Sequence, residues 1–273
     1  MDLVVFDLDG TLLNKQQRLS QKTISTLEKM KQAGIYYTIA TGRTHLSAMD
    51  CLTGHDFPLW QIYKNGVEWW HPTDQVYRHQ GILDVQMIKA ALEHFEDQGV
   101  TPFIFCIEAD GQQSVYHPEL HDHYGEAVVA ELAKHDNLTL LPLEQLPADA
   151  NVINISALGH PDPLANIVTG CNEQEHLVAY SGGGIYHPQT HWIDIHHHST
   201  CKGSAIKRLQ QELNADRLVV FGDGDNDLTM FKLADEAYAM DNAPYYIKDQ
   251  ASAAIGHHDQ DGVAEFLRKK YNL

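Results

Sequence analysis

Cysteine is scarce in this chain of 273 residues. The four cysteines, Cys51, Cys106, Cys171 and Cys201, are scattered and include no CxxC pair. This spacing argues against a disulfide framework and is typical of reduced thiols in a cytosol. We therefore predict a cytoplasmic protein.

Long apolar runs are missing as well. No run approaches the roughly 20 residues that a helix needs to cross a bilayer. The N-terminus lacks the basic region and the long apolar region of a signal peptide. We expect neither a membrane-spanning segment nor a secretory leader.

Positive charge is in short supply, with 19 lysines and arginines against 37 aspartates and glutamates. The formal net charge of −18 argues against a protein that binds nucleic acid or a membrane surface, because phosphate groups would be repelled. This net charge does not exclude a small anionic ligand, provided that the binding site supplies local cations. The hydrophobic content of 43% is that of a globular protein. We expect either a monomer or a small homo-oligomer.

Both ends of the chain alternate between strand and helix patterns. Near the N-terminus, a strand over 2–7 precedes a helix that Ser20 caps and Gly34 ends, and 35–41 is strand-like. Near the C-terminus the predicted order is helix 202–214, strand 217–221, helix 227–235 and strand 237–240. Alternation with short links predicts an α/β fold with a Rossmann-like, doubly wound parallel sheet.

The middle of the chain has a different character. It mixes helical patterns with strand-like runs and turn signals. The helices are predicted at 83–98 and 123–135, the strands at 101–109, 152–158 and 192–197, and the turns at Asp110-Gly111, Pro142, Pro161 and 182–184. One large domain is an alternative, but we favour an inserted α+β cap domain. The predicted domains are a core of 1–81 and 190–273 and an insertion of 82–189.

Unusual polar groups follow three of the predicted core strands. Asp7 and Asp9 follow the first strand, Thr41-Gly42-Arg43 follows the second, and 222–227 (GDGDND) follows a later one. In an open parallel sheet, ligands bind at the carboxyl ends of the strands. The fold would therefore bring these segments to one edge of the sheet.

Several carboxylates at one edge repel each other unless a cation binds among them. Mg²⁺ takes oxygen ligands and often shares a phosphate oxygen, and Lys202 would add a second positive charge. Such a site fits phosphoryl transfer. One carboxylate can act as the nucleophile, and a second, two residues on, can protonate the leaving alcohol and then activate water. This division of labour explains the pair Asp7 and Asp9.

Four segments of the chain resemble, in order, the signature motifs of the haloacid dehalogenase (HAD) superfamily. They are FDLDGTLL, ATGR, the lysine of CKG, and GDGDND. The insertion is similar in placement and length to the C2 cap of the Cof-type phosphatases, subclass IIB. DNAP at 241–244 and DQDGVAEFL at 259–267 also resemble the C-terminal pattern of that subfamily.

The resemblance implies a role for each matching acidic residue. Asp7 would be the nucleophile and a Mg²⁺ ligand. Asp9 would be the general acid/base, with its backbone carbonyl on the metal. Asp223 would be the third protein ligand, and Asp227 would orient Lys202 or metal-bound waters. Asp225 is expected to be solvated.

The remaining motif residues would hold the phosphoryl group or support those that do. Thr41 and the backbone of Gly42 would bind its oxygens, Lys202 would neutralise it together with the nucleophile, and Asn226 would contact phosphate or substrate. Thr11 would fix the turn and Asp9. Arg43 is open between a phosphate contact and a structural ion pair.

Three other features have simpler explanations that we favour. His196-His197-His198 is a polar strand end and not a metal site, because adjacent strand residues point to opposite faces. Trp60, Trp69 and Trp70 either line a cleft or pack in the core, and we favour the core. The glycines at 182–184 lack the GxGxxG pattern and predict a turn or bulge.

We therefore predict a Mg²⁺-dependent phosphatase that hydrolyses a small phosphorylated metabolite through an aspartyl-phosphate. A sugar phosphate is the first expectation, and cofactor-type phosphates stay open. One alternative is phosphotransfer to another sugar hydroxyl, as in the related phosphomannomutases. Another is a metabolite-binding protein without catalysis that retains the fold.

Overall fold

The computed structural model describes residues 1–108, 112–134, 138–183 and 189–273. The strands in the described residues are β1 (Asp2–Phe6), β2 (Tyr36–Ile39), β3 (Gln61–Tyr63), β4 (Glu68–His71), β5 (Val76–His79), β6 (Phe103–Ile107), β7 (Gln113–His117), β8 (Leu138–Pro142), β9 (Asn151–Gly159), β10 (Leu177–Gly183), β11 (His191–His197), β12 (Arg217–Gly222), β13 (Glu236–Ala239) and β14 (Ala253–Ala254).

The α-helices in the same residues are α1 (Gln21–Gln32), α2 (His45–Met49), α3 (Val85–Gln98), α4 (His123–Leu132), α5 (Pro161–Asn172), α6 (Lys202–Leu213), α7 (Leu228–Phe231), α8 (Tyr245–Lys248) and α9 (Gly262–Tyr271). Single 3₁₀ turns lie at Lys64–Gly66, Leu143–Gln145, Asp225–Asp227 and His258–Gln260.

The chain forms two compact units. The first contains Met1–Arg78 and Thr200–Leu273, and the second contains His79–Ser199. The second unit is thus inserted in the sequence of the first. The predicted fold class, an α/β core with an inserted α+β cap, is confirmed. The exact domain limits of 81/82 and 189/190 stay a prediction.

The first unit is built on a parallel sheet in the order β14-β13-β12-β1-β2. The strand β1, which lies between β12 and β2, is apolar and buried on both faces. Val4 and Phe6 belong to one hydrophobic cluster, and Leu3 and Val5 belong to another. A strand covered on both sides needs such a continuous apolar run, which is why the sequence pattern of β1 was easy to recognise.

The helices of the first unit begin at clear caps. The side chain of Ser20 accepts a hydrogen bond from the backbone N–H of Thr23 and caps α1 as predicted. Asn214, in the left-handed conformation, ends α6. The predicted helix over 227–235 is wrong in extent, because α7 covers only Leu228–Phe231. The chain turns after α7, and the Asp235 carboxylate accepts a hydrogen bond from the backbone N–H of Leu218 in β12.

A small antiparallel sheet, β3-β4-β5, also belongs mainly to the first unit and was not predicted. Trp69 in β4 is fully buried, as favoured from the sequence, and its indole N–H donates to the carbonyl of Gly66 at 2.9 Å. Trp60 and Trp70 are partly buried and pack against the two core clusters.

The second unit is built on a six-stranded sheet in the order β10-β11-β9-β6-β7-β8. Its neighbouring strands are antiparallel except for β7 and β8. The helix α3 follows Asp84, whose side chain accepts from the backbone N–H of Met87. The predicted strands over 101–109, 152–158 and 192–197 correspond to β6, β9 and β11.

Four predictions about the second unit are wrong or lie partly or wholly outside the described residues. Pro161 is the first residue of α5 and not a turn, a position where proline loses no helical hydrogen bond. Gly182 and Gly183 lie within β10, where a Cβ on Gly182 would stand 2.7 Å from the Trp192 indole. The helix predicted to end at 135 ends at Leu132. The turn Asp110-Gly111, residue 135 and Gly184 lie outside the described residues.

Histidines at the end of β11 have different surroundings. His196 is fully buried, while His198 is exposed. Across the described residues, the set of carboxylate, imidazole or thiol groups close enough to share a metal ion contains no histidine. Among those same residues, every helix is too short or too polar to span a bilayer.

Candidate active site

The site begins where β1 ends. Asp7 follows the strand directly, and its backbone N–H donates to the carbonyl of Phe221 in the neighbouring strand β12. The chain then folds into a tight loop over Leu8–Leu12, closed by a hydrogen bond from the Leu13 N–H to the Leu8 carbonyl at 2.9 Å. Asp7 is therefore held at the carboxyl edge of the sheet and is only 5% exposed.

Asp223, which follows β12, packs against this loop. A Cβ on Gly10 would stand 2.2 Å from Oδ2 of Asp223, and Gly10 has a φ of +72°. Only glycine suits this position, because it allows both the left-handed backbone and the close approach. Thr11 Oγ1 donates to Oδ1 of Asp223 at 3.0 Å, a contact that adds to the predicted role of Thr11 in fixing the turn and Asp9.

Lys202 joins two of the carboxylates. It is the first residue of α6 and is fully buried. Its Nζ lies 2.6 Å from Oδ1 of Asp7 and 2.7 Å from Oδ1 of Asp227. Segments 195 residues apart in sequence therefore meet at one ammonium group.

Asp227 has both carboxylate oxygens occupied. Besides its contact with Lys202, its Oδ2 accepts the backbone N–H groups of Asp223 at 2.8 Å and Gly224 at 2.9 Å. Asp227 therefore contacts both the lysine and the backbone of the loop that carries Asp223. Asp225, two residues away, is exposed as predicted.

Burial and mutual repulsion raise the pKa of two carboxyls. Burial raises the pKa of Asp7 well above its usual range, with further increases from Asp227 and Asp223, although Lys202 opposes the change. Burial and Asp227 raise the pKa of Asp223 to about 6. Burial disfavours the charged form of Lys202, but Asp227 and Asp7 together raise its pKa above the ordinary value.

The donor set fits a hard cation. Asp7, Asp223 and Asp227 each offer an oxygen within 4.8 Å of the others. Three carboxylates face one lysine, so the cluster retains excess negative charge when all three are ionised, and repulsion among them adds to the larger effect of burial in raising the pKa values of Asp7 and Asp223. Oxygen donors with uncompensated negative charge are what Mg²⁺ and Ca²⁺ bind in proteins.

A second part of the site follows β2. Thr41 is buried, and its Oγ1 accepts the backbone N–H of Arg43 at 3.1 Å. Gly42 leaves open the space that a side chain would fill. A Cβ there would lie 3.4 Å from Oδ1 of Asn65 and 3.5 Å from Nδ2 of Asn226.

Asn65 was not predicted from the sequence. It lies in the turn Lys64–Gly66 with a φ of +53°, and its backbone N–H donates to the Thr41 carbonyl at 2.9 Å. Its Oδ1 accepts from Nδ2 of Asn226 at 2.9 Å. The residue is fully buried, and its own Nδ2 has no hydrogen-bond partner among the described residues. The Asn-Gly pair is a turn signal that marked this place in the sequence.

Asn242 was also missed, although it belongs to the DNAP segment that contributed to the resemblance. Its Nδ2 donates to the Gly10 carbonyl at 2.8 Å and to Oδ2 of Asp223 at 3.1 Å. Asn242 therefore ties together the loops that follow β1 and β12.

Asp9 is not among the three carboxylates close enough to share a metal ion, and its side chain contacts Arg43. Arg43 Nε lies 2.7 Å from Oδ2 of Asp9, and Nη2 lies 2.7 Å from Oδ1. The Asp9 side chain is 46% exposed. The structure thus brings Asp7, Asp223, Asp227 and Lys202 together, with Asp9 and Arg43 as a separate ion pair in the same unit.

A parallel sheet thus gathers the acidic groups and the lysine at its carboxyl edge, where ligands bind in open α/β folds. The sequence profile of the haloacid dehalogenase-like hydrolases matches residues 4–267. The chain belongs to this family, and the resemblance predicted from its four motifs is confirmed.

Two curated relatives match almost the full length. The 5-amino-6-(5-phospho-D-ribitylamino)uracil phosphatase YitU of Bacillus subtilis is 26% identical, and the match covers 99% of this chain and 98% of the relative. The pyridoxal phosphate phosphatase YbhA of Escherichia coli is 25% identical over 97% of both chains. Among solved structures, a sugar phosphatase of HAD subclass IIB shares the fold, with a TM-score of 0.76, 20% identity and coverage of 100% and 99%.

Proposed function

We propose that this chain is a Mg²⁺-dependent phosphatase that hydrolyses a small phosphorylated metabolite through an aspartyl-phosphate on Asp7. The observation that carries the proposal is the buried lysine Lys202 between Asp7 and Asp227, with the carboxylate of Asp223 beside them. The family match and the phosphatase names of its relatives support a phosphoric monoester hydrolase.

In the first step, an oxygen of Asp7 attacks phosphorus and the ester P–O bond breaks. Asp9 gives its proton to the departing alkoxide, which leaves as an alcohol. In the second step, Asp9 takes a proton from water, and the resulting hydroxide attacks the phosphorus of the aspartyl-phosphate. The bond between phosphorus and the Asp7 oxygen breaks, inorganic phosphate leaves, and both carboxyl groups return to their starting state.

Four groups hold the phosphoryl oxygens in this proposal. Lys202 supplies a positive charge next to the nucleophile, while Thr41, the Gly42 backbone and Asn226 supply hydrogen bonds. Asn65 supports this set by accepting a hydrogen bond from Asn226. Placed donors of this kind stabilise charge that develops during transfer without reorganising.

Asp7, Asp223 and the backbone carbonyl of Asp9 would hold Mg²⁺. The ion would neutralise the phosphoryl group and the carboxylates around it. Asp227 is proposed to orient Lys202, because both its oxygens are already engaged. Thr11 and Asn242 keep Asp223 in place through its two oxygens.

We propose that the second unit, at approximately 82–189, acts as a C2-type cap and recognises the leaving group of the substrate. Cofactor-type phosphates gain support from the relatives that act on pyridoxal phosphate and on a phosphorylated uracil derivative. A sugar phosphate gains support from the subclass IIB structure. Four thiols without a disulfide support a cytoplasmic location.

Hydrolysis of p-nitrophenyl phosphate by the purified chain tests the proposal. We expect turnover with Mg²⁺ and its loss after chelation with EDTA, restored by added Mg²⁺. Product analysis with sugar acceptors would distinguish release of inorganic phosphate from transfer to a hydroxyl. A folded protein without turnover in any condition would contradict the proposal and favour a metabolite-binding role.

A further inference from the structure

Arg43 follows Thr41 and Gly42 directly, so the sequence allows it to contact a bound phosphoryl group. A guanidinium carries five N–H donors and no acceptor. Whether Arg43 has a donor free for phosphate is therefore a question of where its five N–H groups go.

Two donors bind Asp9 in a bidentate arrangement, with both N–O distances at 2.7 Å. Nη1 contacts the Ser47 carbonyl at 3.1 Å and Sγ of Cys51 at 3.2 Å. The second donor of Nη2 meets Oε1 of Gln17. All five N–H groups have acceptors, and none is left for a phosphoryl oxygen.

These contacts also fix the direction of the guanidinium. The Ser47 carbonyl and Cys51 belong to α2 and the segment after it, and the Arg43 side chain is only 23% exposed. The Asp9 side chain is the more exposed partner, at 46%. A bidentate, charge-assisted pair restricts it to one orientation.

We propose that Arg43 is a positioning residue, which holds the Asp9 carboxyl group in place for proton transfer and does not bind the phosphoryl group. The inference rests on the proposed function, since it requires Asp9 as the general acid/base. The sequence leaves two roles open for Arg43, a phosphate contact and a structural ion pair, and this proposal selects the ion pair.

The test compares two substrates with different leaving groups. p-Nitrophenolate is a stabilised anion that departs without a proton, whereas phenolate is more basic and depends on a general acid. The parameter kcat/KM reports the steps up to departure of the alcohol, so it isolates the step in which Asp9 donates. For Arg43→Met we expect kcat/KM to fall by about 100-fold with phenyl phosphate, the typical contribution of a positioned acid, and by much less with p-nitrophenyl phosphate.

Two further variants and a control sharpen this experiment. Arg43→Lys keeps the positive charge but cannot make the bidentate contact with Asp9, so kcat/KM with phenyl phosphate should fall by less than in Arg43→Met. This variant replaces Arg43→Met in the test if the methionine variant does not fold. In an Asp9→Asn background, Arg43→Met should cause no additional selective loss, because the two residues act as one unit. Arg18→Met, in an exposed arginine outside the site, should leave both substrates unaffected.

Inhibition by inorganic phosphate distinguishes the two roles of Arg43. A positioning residue leaves the inhibition constant of phosphate within about threefold of the wild type, because no direct charge-assisted hydrogen bond is lost. An equal loss of kcat/KM with both substrates, together with clearly weaker phosphate inhibition, would overturn the inference. If the wild-type protein turns over neither substrate, the proposed phosphatase function is wrong. That result differs from one in which the wild type is active and only the expected effects of the Arg43 variants are missing.

Discussion

At the scale of single residues, Lys202 sets the charge balance of the site. A fully buried ammonium group is tolerated only because two carboxylates contact it, and each carboxylate in turn depends on it. Substitutions that keep the shape of these side chains therefore separate chemistry from folding better than truncations do.

Asp7→Asn is such a substitution. The amide has the size of the carboxylate, and Lys202 keeps its contact with Asp227, so the fold should survive. The nucleophile is lost, and we expect kcat to fall by at least about 1,000-fold. Steady-state kinetics measure the loss, and circular dichroism with a thermal melt verifies the fold. Activity within tenfold of the wild type would show that Asp7 is not the nucleophile.

Asp223→Asn tests the metal site. Removing one charged ligand should raise the Mg²⁺ concentration for half-maximal activity by about 10-fold or more, in line with the sensitivity of metal sites to their ligands and supports. A Mg²⁺ titration of p-nitrophenyl phosphate hydrolysis measures it. Asp225→Asn is the matched control, because this carboxylate is exposed and lies two residues away. Identical titrations for both variants would argue against Asp223 as a ligand.

The sequence predicted the residues at strand ends, and the reason is physical. Carboxylates directly after an apolar strand have no role in packing, so Asp7 and Asp223 stand out locally. Asn65 and Asn242 do not, because asparagine is common in turns and their partners lie 161 and 232 residues away along the chain. The Arg43–Asp9 pair was likewise recognisable only in three dimensions.

At the scale of elements, the turn Lys64–Gly66 connects separate parts of the site. The backbone N–H of Lys64 donates to the Arg43 carbonyl, and that of Asn65 donates to the Thr41 carbonyl. On its other side, Gly66 packs against the carbonyl of Cys201, the residue before Lys202. This one turn thus braces both the loop after β2 and the start of α6.

Gly66→Ala should therefore destabilise the chain. Gly66 has a φ of +110°, and an added Cβ would stand 2.8 Å from the Cys201 carbonyl oxygen. We expect a loss of about 2–3 kcal/mol in the free energy of unfolding, from backbone strain and a contact with backbone that cannot move away. Urea denaturation measures it.

Gly34→Ala is the control for that experiment. Gly34 also has a left-handed φ, at +70°, but nothing lies within 4 Å of an added Cβ. It should cost only about 1 kcal/mol, the usual penalty for a side chain in this conformation. Equal effects of the two substitutions would mean that the contact with Cys201 contributes nothing.

Element prediction succeeded where a periodic pattern coincided with a cap and failed where one residue type serves two purposes. Ser20 and Gly34 bracketed α1 correctly. Pro161 starts a helix as readily as it marks a turn, and the glycines of β10 leave room for Trp192 instead of bending the chain. The short strands β3 to β5 depend on pairing with each other, which local patterns do not show.

At the scale of the whole molecule, the acidic cluster makes the stability of the fold depend on pH. The pKa of Asp223 is raised to about 6 in the fold, whereas its ordinary value is 3.8. The folded state therefore holds a proton more tightly than the unfolded state does. As the pH rises from about 4 to 6, Asp223 ionises more readily in the unfolded state than in the folded state. The contribution of Asp223 to the free energy of unfolding therefore falls as the pH rises.

Metal-free protein should show this effect in comparison with Asp223→Asn, which does not titrate. The melting temperature of the wild type relative to the variant should decrease from pH 4 to pH 7. Added Mg²⁺ should reverse the decrease at pH 7, because the ion binds the ionised form. A difference in melting temperature that is constant across this range would exclude a buried, destabilised Asp223.

The pairing of β1 with β12 has a consequence for biosynthesis. The first strand made must wait for one of the last, since Asp2 through Phe6 align with Arg217 through Phe221. During translation, the inserted unit at 79–199 is synthesised completely before Lys202 and Asp223, which meet at the same site as Asp7. A chain whose synthesis stops before Arg217 carries Asp7 but lacks β12 and Asp223, so β1 has β2 on one side and an open apolar edge on the other, which invites chaperones.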